Sequence, residues 1–223
     1  MTARSDILGK IKSRQTGDET ERRATVTSRL QRSPKGVIPA YGQLNSAGQQ
    51  QLFCKTAKEA GASVDIVADS TAVPAAVVAF LRDNNLPAAA RVGGDQQLAA
   101  MPWDAEAGMT LKHGASDGTD LVGISRATNG VAESGTLVLR SGPGNPTTIN
   151  FLPDCHIVVL NASDVVGDYE SSWAGLRARA GKGEMPRTVN LVTGPSRSAD
   201  IGQTLIMGAH GPRQLHIILI KDA

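Results

Sequence analysis

The sequence predicts an α/β fold, layered, with a mostly parallel sheet and helices on both faces. Three observations carry this expectation. From about residue 40 onward, short apolar runs alternate with capped helical stretches, an order that favours parallel βαβ units. Aromatic residues are 3% of the 223 residues against 40% hydrophobic residues overall, so Ala, Val, Leu and Ile must fill the core. Two polar, glycine-containing loops, Thr193 to Ile201 and Gly208 to Arg213, each abut an apolar run. Loops at the edge of such a sheet are where α/β proteins gather their binding groups.

The elements follow in order. Residues 5–15 read as a short amphipathic helix, with Ser5 as N-cap and Ile7, Leu8 and Ile11 on one face. Asp18 with Glu21 resembles a capping box for a second helix to about Leu30. Two prolines and a glycine between Ser33 and Ala40 make a linker. The division is thus a basic helical extension with linker over 1–39 and an α/β domain over 40–223. Asn45 caps a helix ending near Gly61, and Ser63 to Ala68 is a strand. Pro74 opens a helix to about Asn84, since proline is tolerated in a first turn. Ala88 to Val92, Met109 to Lys112 and Leu121 to Ser125 are strands, with a helical turn at Gln96 to Met101. A short helix through Glu133 is expected next, then strands at Thr136 to Arg140 and His156 to Leu160. Ser163 is the expected cap of a helix to about Ala180, stopped by the glycines from Gly181. Thr188 to Val192, Thr204 to Met207 and Leu215 to Ile220 complete a sheet expected to be mixed at that end.

Charge and composition exclude several functions. The net charge of +2 creates no general field for nucleic acid, and the few rings leave no stacking platform for single strands. Charge is uneven, however. Residues 1–35 carry nine Lys/Arg against four Asp/Glu, leaving 14 against 17 for the rest. Such a basic arm suits an anionic partner or a solvated helical face. Cys54 and Cys155 form no CxxC or Cys/His cluster, so buried free thiols are expected. They cannot build an iron–sulfur or zinc site alone, and no paired histidine spacing suggests a metal. No apolar run approaches the ~20 residues of a membrane span. The first residues lack a secretory core, so the expected location is cytoplasmic.

Three constellations can carry chemistry. Before the strand at Thr136, Glu133 offers a general base or an attacking carboxylate, and Ser134 and Thr136 offer hydroxyls around Gly135. The alternative for Glu133 is a solvent-facing turn residue. In the second block, Thr193, Ser196 and Ser198 supply hydroxyls, Gly194 supplies room for an oxyanion, and Arg197 a planar fork for a carboxylate or phosphate. Asp200 is placed to hold Arg197, or simply to pair with it beneath a turn. In the third block, His210 stands between glycines, near Gly211 and Arg213, as an acid–base group or a turn residue. His156 and His216 lie in apolar strands and read as hydrogen-bonded core groups. No Walker A motif, G-x-G-x-x-G turn or G-x-S-x-G elbow is present.

These blocks also carry a resemblance. Ala132 to Leu139, Leu152 to Val159, Thr193 to Ile201 and Gly208 to Arg213 with Leu215 to Ile220 resemble the lactate-utilisation protein C family, the LUD domain. The match is strongest over about 120–220, with Ser134 and Ser198 where the family more often has Thr. The resemblance implies a fold like that of sugar-phosphate isomerases and coenzyme A transferases. It implies a place in the oxidation of L-lactate to pyruvate, beside iron–sulfur partner subunits. It assigns no catalytic residue and names no cofactor for this chain. Residue chemistry supplies the roles: Glu133 and His210 handle protons, and Arg197 holds a small anionic ligand. Two alternatives stay open. One is a transferase or isomerase acting on a phosphorylated or coenzyme A-linked molecule, with Glu133 attacking. The other is a non-catalytic assembly subunit whose loops dock a partner, helped by its basic arm of Lys10, Lys12, Arg14, Arg22 and Arg23.

Overall fold

The computed structural model describes residues 3–181, 184–198 and 206–222, the side chain of residue 222 excepted. Contacts divide the chain into two units, Met1–Val37 and Ile38–Ala223. The first holds α1 (Ala3–Ser13) and α2 (Glu19–Arg32), neither with a buried residue. Asp18 caps α2 by accepting from Thr20 N and Glu21 N at 2.8 and 3.1 Å.

The second unit is built on a six-stranded, wholly parallel sheet. Its strands are β1 (Ser63–Asp69), β2 (Ala89–Val92), β3 (Thr110–His113), β4 (Val122–Arg126), β7 (Cys155–Asn161) and β12 (Gln214–Asp222). They lie in the order β1-β12-β7-β4-β2-β3. Near-continuous apolar runs build the centre because both faces are covered. Along β7, Cys155, Ile157 and Val159 join α4 (Val73–Asp83) on one side. Val158 and Leu160 join α3 (Ser46–Glu59) on the other. Asn45 caps α3 through Gly48 N at 2.8 Å, and Pro74 sits in the first turn of α4.

The α3 side departs from expectation. A second sheet shares it, made of β5 (Asn129–Val131), β6 (Thr136–Arg140), β8 (Val165–Val166) and β9 (Val189–Val192), in the order β8-β5-β6-β9. The segment before Glu133 is therefore strand β5 and a tight turn, not a helix. The mixed pairing expected at one end of the main sheet belongs here, where β5–β6 and β6–β9 are antiparallel. Leu137 and Leu139 of β6 still point into the same core as β7 and β12. Expected strand 204–207 begins outside the described residues. Its described part, β11 (Ile206–Met207), pairs among the described residues with β10 (Arg197–Ser198). The glycine run after Gly181 also falls partly outside them. Two shorter helices, α5 (Gln96–Ala99) and α6 (Thr147–Phe151), precede β3 and β7.

The last helix is the second departure. α7 runs Tyr169–Ala180 and is capped by Asp168, which accepts from Ser171 N at 2.8 Å. Ser163, the expected cap, is exposed in a 3₁₀ turn that leads into β8.

Candidate functional site

The second sheet and the amino ends of β7 and β12 converge on one corner. Thr136 begins β6 and Thr193 follows β9, and antiparallel pairing sets them opposite each other. Their hydroxyls lie 2.6 Å apart. Tyr169, at the first turn of α7, brings its phenol to 2.7 Å from Thr136 Oγ1 and accepts from Ser134 Oγ at 2.9 Å. Ser134 and Thr136 are 2.7 Å apart. Four hydroxyls therefore form a continuous network ending at Thr193. Glu133 joins from behind, its Oε1 accepting from Tyr169 N at 3.2 Å. Its Oε2 is buried without a partner among the described residues. Gly135 makes this turn possible: its φ is +68°, and an added Cβ would overlap the Ala57 backbone of α3.

Beyond Thr193 the chain turns through Gly194, at φ +70° and against Ala60 of α3. The Arg197 Nη2 donates to the Ala60 carbonyl, which anchors one branch of the exposed fork. Ser196 ties the two loops together. Its N donates to Pro212 O at 2.8 Å, and its Oγ accepts from His210 N at 3.2 Å.

Between these loops and the sheet lies a cavity of about 250 Å³. Thr193, Gly194, Ser196, Arg197, His210 and Gly211 line its mouth. Asn150 from α6 and His156 from β7 line it too, and they are 1% and 0% exposed. His156 Nε2 sits 2.6 Å from Ser125 Oγ of β4. Burial pushes the imidazole down to about 3, so it is neutral at ordinary pH. A larger hollow of about 660 Å³ borders Trp103, Met109 and His113 elsewhere. None of the residues lining it carries a buried polar atom without a partner among the described residues.

The structure thus brings Arg197, His210, Ser196 and Thr193 to one cavity. Glu133, Ser134, Gly135 and Thr136 are not among its lining residues and reach it through Thr193. Ser198 pairs with Ile206 in the β10–β11 ribbon. Arg213 packs on Gly208 and donates its N to Asp154 O at 2.7 Å. Asp200 lies outside the described residues. His156 holds the buried, hydrogen-bonded place expected of it; Asn150 and Tyr169 are the residues that sequence reasoning passes over. A lone Asn inside the apolar run Ile149-Asn150-Phe151-Leu152 was the available signal for the former.

The LUD domain matches residues 42–220. The chain belongs to the LUD domain family. Among curated relatives, the lactate utilization protein C of Geobacillus sp. strain WCH70 is 38% identical over 121 residues, 54% of this chain and 49% of that protein. The protein of the same name from Halalkalibacterium halodurans is 36% identical over 54% of this chain and 52% of its own length. An uncharacterised protein of Neisseria meningitidis serogroup B is 39% identical over 44% of this chain and 41% of that protein. The chain spans about half the length of the curated relatives it matches. A crystal structure of a DUF162 family protein from Deinococcus radiodurans superposes with a TM-score of 0.58 at 17% identity, covering 79% of this chain and 99% of that one. At that identity the likeness concerns the fold of this LUD domain. Among the described residues, no helix is long and apolar enough to cross a membrane, and no group of three or more His, Cys, Asp or Glu side chains is placed to hold a metal ion.

Proposed function

We propose that this LUD-domain chain works in lactate utilisation, as a cytoplasmic subunit of a system that oxidises L-lactate to pyruvate. The names of its relatives support the pathway. The geometry supports a specific part for this chain: holding a small anion at the cavity mouth. Arg197 is the observation that carries the reading. Its fork is anchored on Ala60 and lines the cavity beside the hydroxyls of Thr193 and Ser196. A guanidinium with neighbouring hydroxyls is the donor set a carboxylate or phosphate needs.

In this reading His210 is the proton-handling group of the mouth, because it lines the same cavity from the second loop and is exposed. Glu133 acts behind the wall, fixing Tyr169 and through it the Thr136–Thr193 pair. In this reading electrons from lactate leave through iron–sulfur partner subunits, as the family resemblance implies. Isothermal titration with L-lactate and pyruvate tests the reading. Binding is expected with the native chain and its loss with Arg197→Ala. No heat from either acid, together with normal growth on lactate by an Arg197→Ala strain, overturns it.

A further inference from the structure

The cavity has more room than lactate fills. At about 30 Å³ of liquid volume per water, its 250 Å³ is the equivalent of roughly eight waters. A carbon or oxygen with its hydrogens takes about one water's volume or less. Lactate, with three carbons and three oxygens, therefore leaves roughly two waters' volume or more unfilled. The walls are held at that spacing by Ser196, which fastens the first loop to the second. Its N donates to Pro212 O at 2.8 Å, its carbonyl accepts from Gly208 N at 2.9 Å, and its Oγ accepts from His210 N at 3.2 Å. Pro195 and Pro212, both lining residues, fix the backbone of each loop further.

The lining has two chemistries. Arg197, Thr193, Ser196 and His210 supply charge and hydrogen bonds. Phe151 at the end of α6, Leu191 and Val192 of β9, and Leu215 of β12 supply apolar surface. Phe151 lies against the second loop, where a Cβ added at Gly211 would stand 3.6 Å from its Cδ1. Phe151 and Leu191 are 39% and 45% exposed. Two large apolar side chains thus stay wet beside the guanidinium. A carboxylate or hydroxyl gains nothing from that surface, and lactate offers it only a methyl group. A longer alkyl group on the same acid fills the remaining volume and takes this surface out of water.

We infer that the cavity takes a 2-hydroxy acid with a branched alkyl side chain of three or four carbons. Its carboxylate lies on Arg197 and its alkyl group against Phe151, Leu191 and Leu215. The inference rests on Arg197 as the anion holder of the proposed function and adds the substrate class. Each buried methylene is worth about fourfold in affinity. With part of the alkyl group still facing water, three added carbons give about tenfold or more.

Isothermal titration of the full chain with L-lactate, 2-hydroxybutanoate, 2-hydroxy-4-methylpentanoate and 4-methylpentan-1-ol reads both ends of the ligand. Affinity is expected to rise along the three acids, the six-carbon acid binding about tenfold or more tighter than lactate. The alcohol keeps the alkyl group without the carboxylate and is expected to bind about tenfold or more weaker than the six-carbon acid. Arg197→Ala is expected to erase that difference. Leu191→Gln and Phe151→Ala, made separately, are each expected to weaken the six-carbon acid about fivefold and to flatten the rise along the series. Both positions are partly exposed, and thermal melting checks that the variants are folded. Lactate bound as tightly as the six-carbon acid overturns this inference and leaves the proposed function standing. Six-carbon acid binding that ignores both folded variants also overturns it. Silence from all three acids, or binding indifferent to Arg197→Ala, overturns both.

Discussion

Tyr169 shows how much one atom can organise. Its phenol oxygen meets Ser134 and Thr136, and Thr136 in turn meets Thr193 at the cavity. Removing that oxygen leaves partly buried hydroxyls short of a partner, at a cost of about 1–3 kcal/mol. Tyr169→Phe is therefore expected to lower the unfolding free energy by that amount, read as a lower urea midpoint, without loss of helix signal in circular dichroism. An unchanged midpoint would mean the network reorganises freely. At this scale the sequence was readable where residue type announces chemistry. Arg197, Ser196, Thr193 and His210 stand in glycine-containing loops and do reach one cavity. Tyr169 and Asn150 were not readable, because their importance comes from partners or surroundings far along the chain. Ser134 and Tyr169, for instance, are 35 residues apart.

At the scale of elements, local signals identified most helices and strands but not what they pair with. Asn45, Asp18 and Pro74 mark helix starts that the structure contains. Ser163 did not, because β8 intervenes and Gly167 then lets the chain pass against Gly42, where an added Cβ would overlap the opposite carbonyl. The helix begins only after Asp168, which also accepts from Gln43 Nε2 at 2.9 Å. Asp168→Ala is expected to cost about 1–2 kcal/mol, the usual worth of a cap. Ser163→Ala, on an exposed turn, is expected to stay within about 0.5 kcal/mol. Denaturant unfolding of the two variants side by side checks this; equal losses would return the cap to Ser163. The alternation of Thr136 to Arg140 likewise announced a strand, yet a period of two says nothing about which sheet receives it. Two stacked sheets present the same inward-facing leucines as one.

At the scale of the molecule, two buried histidines make stability depend on acid. His156 is lowered to about 3 by burial. His216, stacked on Phe80 at 3.9 Å, is lowered to about 4 by burial, partly offset by Asp65. In the unfolded chain both protonate near 6.5. The unfolded state thus binds more protons below that pH, so stability present above 6.5 is lost as pH falls toward 4. Each pH unit in that window costs up to about 1.4 kcal/mol per histidine. Urea midpoints are expected to fall steadily from pH 6.5 to 4.5, and His216→Gln is expected to flatten that slope. A slope identical to the native chain would show that His216 titrates alike in both states. The parallel sheet has a further consequence, for the order in which the protein can be made. Among the described residues, β1 has β12 as its only sheet neighbour, and the paired residues Ser63 and His216 are 153 positions apart. On a ribosome, β1 and β7 emerge well before the strand that separates them. Until β12 is translated, both present open edges of the kind that pair with other chains. The nascent protein must keep a slot free while the 153 positions between Ser63 and His216 are made, and β12 is the strand that closes it.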